Sequence, residues 1–154
     1  MSLARSVLMG VVAGQRAMTP LAVLAGAARR GVLPDQAGAS GLLRRPLVAA
    51  GAVVLAAGEM WGDKMKSAPD RIVPAGLVGR TVTGAFAGAV LADPDRRRTG
   101  AVLGAAAAVA SSYLGFALRV RAMRRFGQTA TGFVEDALVL GGGWAAAAAA
   151  GRRG

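Results

Sequence analysis

The stretch Gly58-Glu59-Met60-Trp61-Gly62-Asp63-Lys64 closes an apolar run that begins at Leu47 and leads into a polar turn at residues 65–71. Its glutamate is one of only two in 154 residues, and the other, Glu135, also lies against an apolar stretch. A soluble protein of this size would scatter many glutamates over its surface, so we interpret both as interior groups. An ionised side chain at the centre of a bilayer costs roughly 2.5–3.5 kcal/mol on insertion scales, so such residues usually mark a site or have a partner.

Composition and hydropathy predict an integral membrane protein. The chain is 54% hydrophobic and 18% charged, with a mean hydropathy of +0.46, whereas ordinary globular domains are about a quarter charged. A helix needs about 20 apolar residues to cross the ~30 Å core of a bilayer, and the apolar residues here come in such blocks. We therefore predict one all-α domain, residues 1–154, folded as a polytopic helix bundle in a membrane. The blocks predict about five spans, at residues 6–28, 46–61, 72–92, 99–120 and 132–150.

Five spans in this order place the polar interior groups near one side of the bundle. That side holds the amino terminus, the turn at residues 64–71 and the end of the fourth span. We take Glu59 as the candidate titratable group and Arg16 as its partner or as an anion-binding group. The predicted buried cluster consists of Arg16, Glu59, Asp63, Arg80, Glu135 and Asp136, with Gln15, Ser111, Ser112 and Tyr113 as candidate pathway lining.

Structural alternatives to a functional cluster stay open. The charged pairs can simply lock helices together, and Asp63 and Asp136 can reach the headgroup zone as helix caps. Serine hydroxyls in membrane helices usually bond to backbone carbonyls, which is a structural role for Ser111 and Ser112.

Small and helix-breaking residues predict how the spans bend and pack. Pro20 removes a backbone donor inside the first span, so we expect a kink near Arg16. Close helix packing is expected at Gly84 and Gly88, whose spacing lets helices approach in lipid, and at Gly100 and Gly104. We expect these faces to support a homo-oligomer. Spans one and two also resemble spans four and five weakly, which would form an inverted repeat.

Charge and missing residue types exclude several functions. The net charge of +11 comes mostly from arginines that flank the apolar blocks, which is typical of contacts with anionic lipid headgroups and not of a nucleic-acid interface. Cysteine and histidine are absent, so we expect no thiolate metal site, no cofactor and no usual general base. The enzymatic alternative is a Mg²⁺ site held by Glu59 and Asp63, which share a helix face.

Two functions follow from these features. The first is a small permeation protein of the transporter or channel type, with the buried arginine and carboxylate cluster as its site. The alternative is a non-catalytic structural or accessory subunit of a larger membrane complex.

Several motifs in order resemble a known family. They are Gly14-Gln15-Arg16-Ala17 with Thr19-Pro20-Leu21, then Glu59 with Asp63-Lys64, then Pro69-Asp70-Arg71, and last Glu135-Asp136. This order resembles the bacterial membrane proteins grouped as "domain of unknown function 4126". The resemblance implies a small polytopic protein of the bacterial cytoplasmic membrane and carries no catalytic assignment.

Overall fold

Helices make up almost all of the described chain. A computed structural model of the protein describes residues 2–33, 39–62 and 73–151, and in these ranges it contains α-helices, one short 3₁₀ turn and no strand. The predicted all-α class is confirmed. The helices are α1 (Ser2–Gln15), α2 (Thr19–Arg29), α3 (Ala39–Arg44), α4 (Pro46–Gly62), α5 (Pro74–Leu91), α6 (Arg97–Phe126, preceded by the 3₁₀ turn Pro94–Arg96) and α7 (Gln128–Gly151).

Two helices differ from the predicted spans. Helix α6 continues past residue 120 to Phe126, because arginine is a good helix former and the first helix-ending signal is Gly127. Gly127 has a φ of 80°, which side-chain-bearing residues rarely adopt. A short helix, α3, also lies between the first two predicted spans, and its Leu43 is buried.

The predicted first span is interrupted. Helix α1 ends at Gln15, residues 16–18 are not helical, and α2 begins at Thr19. Pro20 lies in the first turn of α2, where an N–H group has no acceptor within the helix, so its absence costs no hydrogen bond. If the helix continued through residues 16–20, the ring of Pro20 would clash with the carbonyl of Arg16, one turn earlier. The predicted kink is therefore a complete break.

After the break the chain turns back, so α1 and α2 form a hairpin. Contacts with α7 show the direction of both arms of the hairpin. Along α1, Arg5 bonds to the carbonyl of Ala149 and Arg16 bonds to Asp136, so α1 runs antiparallel to α7. Along α2, Val23 packs at Gly143, which Val12 of α1 also reaches. A straight continuation of α1 would have carried α2 past Asp136 towards the start of α7.

The second arm of the hairpin has further contacts with the same part of α7. The guanidinium of Arg30 lies 4.8 Å from the centre of the Trp144 ring, a cation–π contact. Gly26 also lies beside Trp144. These contacts place the end of α2 beside Trp144, which lies nearer the carboxyl end of α7 than Asp136 does.

Helices α1, α5 and α6 pack through glycines. A side chain on Gly88 would overlap the backbone of Gly100, and one on Gly10 would overlap Gly104. The buried Ser6 hydroxyl adds a bond of 2.7 Å to the carbonyl of Gly88. The glycine faces of α5 and α6 are thus occupied inside one chain. The oligomer that we expected through Gly84, Gly88, Gly100 and Gly104 cannot use them.

The hairpin changes the predicted topology. We call end A the end that holds Ser6, Ala92 and Gly100, and end B the end where α6 meets α7 at Gly127. Because Ser6 lies at Gly100 and Gly10 at Gly104, α1 and α6 run in parallel. The amino terminus therefore lies at end A, not on the side of the α6 terminus as predicted. The predicted inverted repeat is also wrong, since it requires spans one and four to run in opposite directions.

Within the described residues, one segment is long and apolar enough to cross a membrane. It is Pro94–Phe126, of 33 residues, which contains an 18-residue window with a mean hydropathy of 1.8. Two shorter apolar helices are Leu3–Gln15 and Pro46–Gly62.

The glycine contacts predict the effect of adding a single methyl group. We expect Gly104→Ala to destabilise the fold by about 1–3 kcal/mol, because the new carbon overlaps the backbone of Gly84. Gly51→Ala is the control, since nothing lies within 4 Å of that position and alanine favours a helix by up to about 1 kcal/mol. Thermal unfolding of the purified protein measures both. Equal melting temperatures would contradict the close packing of α5 and α6.

Candidate functional site

The break between α1 and α2 leaves backbone donors inside the bundle, and Glu59 of α4 satisfies them. Its two carboxylate oxygens accept hydrogen bonds from the N–H groups of Ala17 (2.7 Å) and Met18 (2.8 Å). Both N–H groups lie at the start of α2, where the helix dipole favours a negative charge. Glu59 thus acts as an N-terminal cap supplied by another helix.

Next to this cap lies a buried ion pair. Arg16 is fully buried, and its Nη2 donates to Oδ1 of Asp136 at 2.5 Å. Asp136 on α7 is 8% exposed. Burying two ions costs several kcal/mol each, and only a close pair with further hydrogen bonds offsets that cost. The pair therefore fixes both the end of α1 and its distance from α7.

The pairing differs from our prediction in one respect. We expected Arg16 to be the partner of Glu59 or an anion-binding group. In the structure Glu59 accepts hydrogen bonds from the backbone of Ala17 and Met18. The Arg16 side chain bonds to Asp136 instead. The reason is the break itself: a backbone N–H group inside the bundle needs an acceptor as much as a guanidinium does.

A second ion pair joins α6 to α7. Arg119 Nη1 lies 3.3 Å from Oε2 of Glu135, and the two side chains are 11% and 16% exposed. Sequence reasoning placed Arg119 among the headgroup anchors and so missed it. Its spacing carried a signal, because Arg119 follows Ser112 by seven residues and Gly115 by four and so shares their helix face.

The polar residues Gln15, Ser111 and Ser112 join α1 to α6. Gln15 Nε2 donates to the carbonyl of Ser111 at 2.7 Å, and the two serine hydroxyls donate to the carbonyls of Val11 and Gly14 at 3.1 Å. The hydroxyls also bond to Ala108 of their own helix. These bonds satisfy carbonyls at the end of α1, so the serines have a structural role. Tyr113 is 51% exposed, and its predicted place in a pathway lining stays a prediction.

Two members of the predicted cluster remain to be placed. Arg80 is buried on α5. Asp63 lies outside the described residues, and with it the predicted pair with Glu59 for Mg²⁺. Across the described part of the chain no group of three or more acidic, histidine or cysteine side chains is placed to hold a metal ion.

An open groove runs beside the cluster between α6 and α7, with α1 as its floor. It consists of two adjoining cavities of about 500 Å³ and 620 Å³. Both are lined by Gln15, Gly115, Leu118, Glu135 and Leu138. The ion pair of Arg119 and Glu135 thus lies where the two cavities meet.

The geometry brings three carboxylates and two arginines around one break in a helix. Each carboxylate is bound, to two N–H groups or to a guanidinium. A proton on Glu59 would remove the charge that holds the start of α2, whereas a proton on Asp136 would leave Arg16 with less compensation. Proton uptake or anion exchange at this site would therefore change how α1, α2, α4 and α7 are joined.

From the Arg16–Asp136 pair we expect a large loss of folding stability when one partner is neutralised. We expect Asp136→Asn to destabilise the fold by about 3–5 kcal/mol, because it removes a carboxylate that is paired with a fully buried guanidinium. The double variant Arg16→Met with Asp136→Asn should recover part of this loss. Asp95→Asn is the control, since its pair with Arg96 is exposed and worth about 0–1 kcal/mol. Thermal unfolding that is unchanged in Asp136→Asn would contradict the buried pair.

Comparisons of the chain with protein-family models, with curated proteins and with solved structures found no match. The resemblance to the bacterial family named above therefore stays a prediction, and function has to be argued from the site.

Proposed function

We propose that the protein is a small multi-pass membrane protein that moves an ion or small polar solute, as a transporter or channel does. The observation that carries this proposal is the interrupted helix pair whose break holds the buried Arg16 and the Glu59 carboxylate. Non-helical backbone at membrane depth is tolerated only where protein or a water-filled cavity surrounds it. Broken helices with charged partners recur at the substrate sites of secondary transporters.

In this proposal α4, α5, α6 and α7 cross the membrane, and the α1–α2 hairpin enters it from end A and returns. Helix lengths support the arrangement. At 1.5 Å per residue, the 14 residues of α1 extend about 21 Å, which is less than the ~30 Å hydrocarbon core. The 18 residues of α5 extend about 27 Å, close to that thickness. The break would then lie inside the membrane and not at its surface.

Labelling from one side of the membrane tests the arrangement. The chain has no cysteine, so single-cysteine variants have no background. We expect Ala4→Cys and Asp95→Cys, both at end A, to react with a membrane-impermeant maleimide from the same side of oriented vesicles. Arg124→Cys at end B should react only from the other side. Labelling of Ala4→Cys and Arg124→Cys from one side would contradict the re-entrant hairpin.

Glu59 is the titratable group of the proposed cycle. When it is ionised, it holds the N–H groups of Ala17 and Met18 and closes the start of α2. When it is protonated, it releases these two N–H groups, which can then bind another acceptor. Arg16, beside them, keeps the region favourable for negative charge. Flux through the site should therefore depend on pH.

Flux in proteoliposomes tests this role. We expect the wild-type protein to carry chloride or protons, followed with dyes sensitive to each, at a rate that changes with pH. Glu59→Gln should lose the pH dependence while remaining folded, because the amide cannot ionise. Asp95→Asn is the control, since Asp95 is an exposed carboxylate far from the break. An unchanged pH profile in Glu59→Gln would exclude Glu59 as the titratable group.

One observation favours the alternative of an accessory subunit. Helix α4 exposes several large apolar side chains, including Leu47 (87%), Val54 (69%) and Trp61 (75%). Such a face suits a partner helix as well as lipid. Native mass spectrometry of gently extracted protein separates the two functions. A stoichiometric second polypeptide would favour the subunit, and a protein carrying only lipid would favour transport.

A further inference from the structure

The groove between α6 and α7 is apolar over most of its length. Leu114, Leu118 and Leu138 line it and are 66%, 65% and 71% exposed, so it is open along its side. The volumes of its two cavities, about 500 Å³ and 620 Å³, are those of sites that hold small organic ligands. Its lining includes the Arg119–Glu135 pair, in which each charge compensates the other.

The groove is lined by Ala122, Phe126 and Ala130 at its end near Gly127, and α6 carries two arginines beside that end. On α6 the row Leu114, Leu118, Arg121 and Arg125 continues at spacings of four, three and four residues, which places neighbouring side chains on one face. Both arginines are exposed, and residues 97–126 contain no acidic residue. The apolar wall of the groove therefore leads directly to two positive charges. An apolar wall followed by two positive charges suits an amphiphile that has a long apolar chain and a negatively charged head group.

We propose that the α6–α7 groove is a specific binding site for one anionic phospholipid. An acyl chain lies along Leu114, Leu118 and Leu138, and the phosphate contacts Arg121 and Arg125. Arginine suits this role because its planar guanidinium can donate two hydrogen bonds to a phosphate. A zwitterionic headgroup offers the same phosphate but adds a positive charge close to both arginines. The inference rests on the proposed membrane location and is independent of transport.

Native mass spectrometry with defined lipids tests the site. Delipidated protein in detergent is mixed with phosphatidylglycerol and phosphatidylcholine of the same acyl chains. We expect the wild-type protein to retain one phosphatidylglycerol in preference to phosphatidylcholine. The double variant Arg121→Gln with Arg125→Gln should bind it about 10-fold to 30-fold more weakly, since each arginine near an anionic surface contributes about one decade or less. The double variant Arg98→Gln with Arg124→Gln removes the same charge elsewhere and should bind normally.

The apolar part of the site is tested in the same assay. Leu138→Trp fills the groove and should reduce retention, whereas Leu140→Trp, which does not line it, should not. Equal retention of the two lipids by the wild-type protein would overturn the proposal without any variant. A similar loss in both arginine double variants would also overturn it, because that result means general charge attraction. A wild-type protein that retains both lipids equally but carries pH-dependent flux would refute this site and leave the proposed function standing.

Discussion

A backbone N–H group that is buried without an acceptor costs free energy, and the break after Gln15 creates two of them inside the bundle. Glu59 satisfies both, so α4 has to lie beside the start of α2. Arg16 occupies the same break and is fully buried, so α7 has to bring Asp136 to it. The positions of three helices thus follow from the need to satisfy one interrupted segment.

The hairpin also depends on close contact between helices that have almost no side chains at their crossing points. Gly10 of α1 lies on Gly104 of α6, and Gly88 of α5 lies on Gly100. This packing brings the Ser112 hydroxyl to the carbonyl of Gly14 near the end of α1. Small residues thus let polar groups reach each other across helices, and these bonds in turn hold the break in place. Packing and polar contacts at this site are therefore parts of one structure.

Sequence reasoning predicted the helical class, the interior position of Arg16 and Asp136, and an irregularity near Pro20. These features follow from local chemistry: apolar blocks, scarce acidic residues and a missing backbone donor. It could not predict that the chain reverses at the break, because a proline ends a helix but does not determine the direction of the next one. The error in direction moved the amino terminus to the wrong end and suggested a false inverted repeat. The pairing of Glu59 with backbone N–H groups was missed for the same reason, since these donors become available only once the helix is broken.

The reversal at residues 16–18 is the central claim, and disulfide cross-linking measures it most directly. Val12 and Val23 both pack at Gly143, although along a straight helix the two would lie about 16 Å apart. In a chain without natural cysteines, the pairs Val12→Cys with Gly143→Cys and Val23→Cys with Gly143→Cys can be oxidised separately. We expect both pairs to form a disulfide rapidly and in high yield. Cross-linking of the Val12 pair alone would mean that α2 continues away from α1, and it would contradict the hairpin and the site built on it.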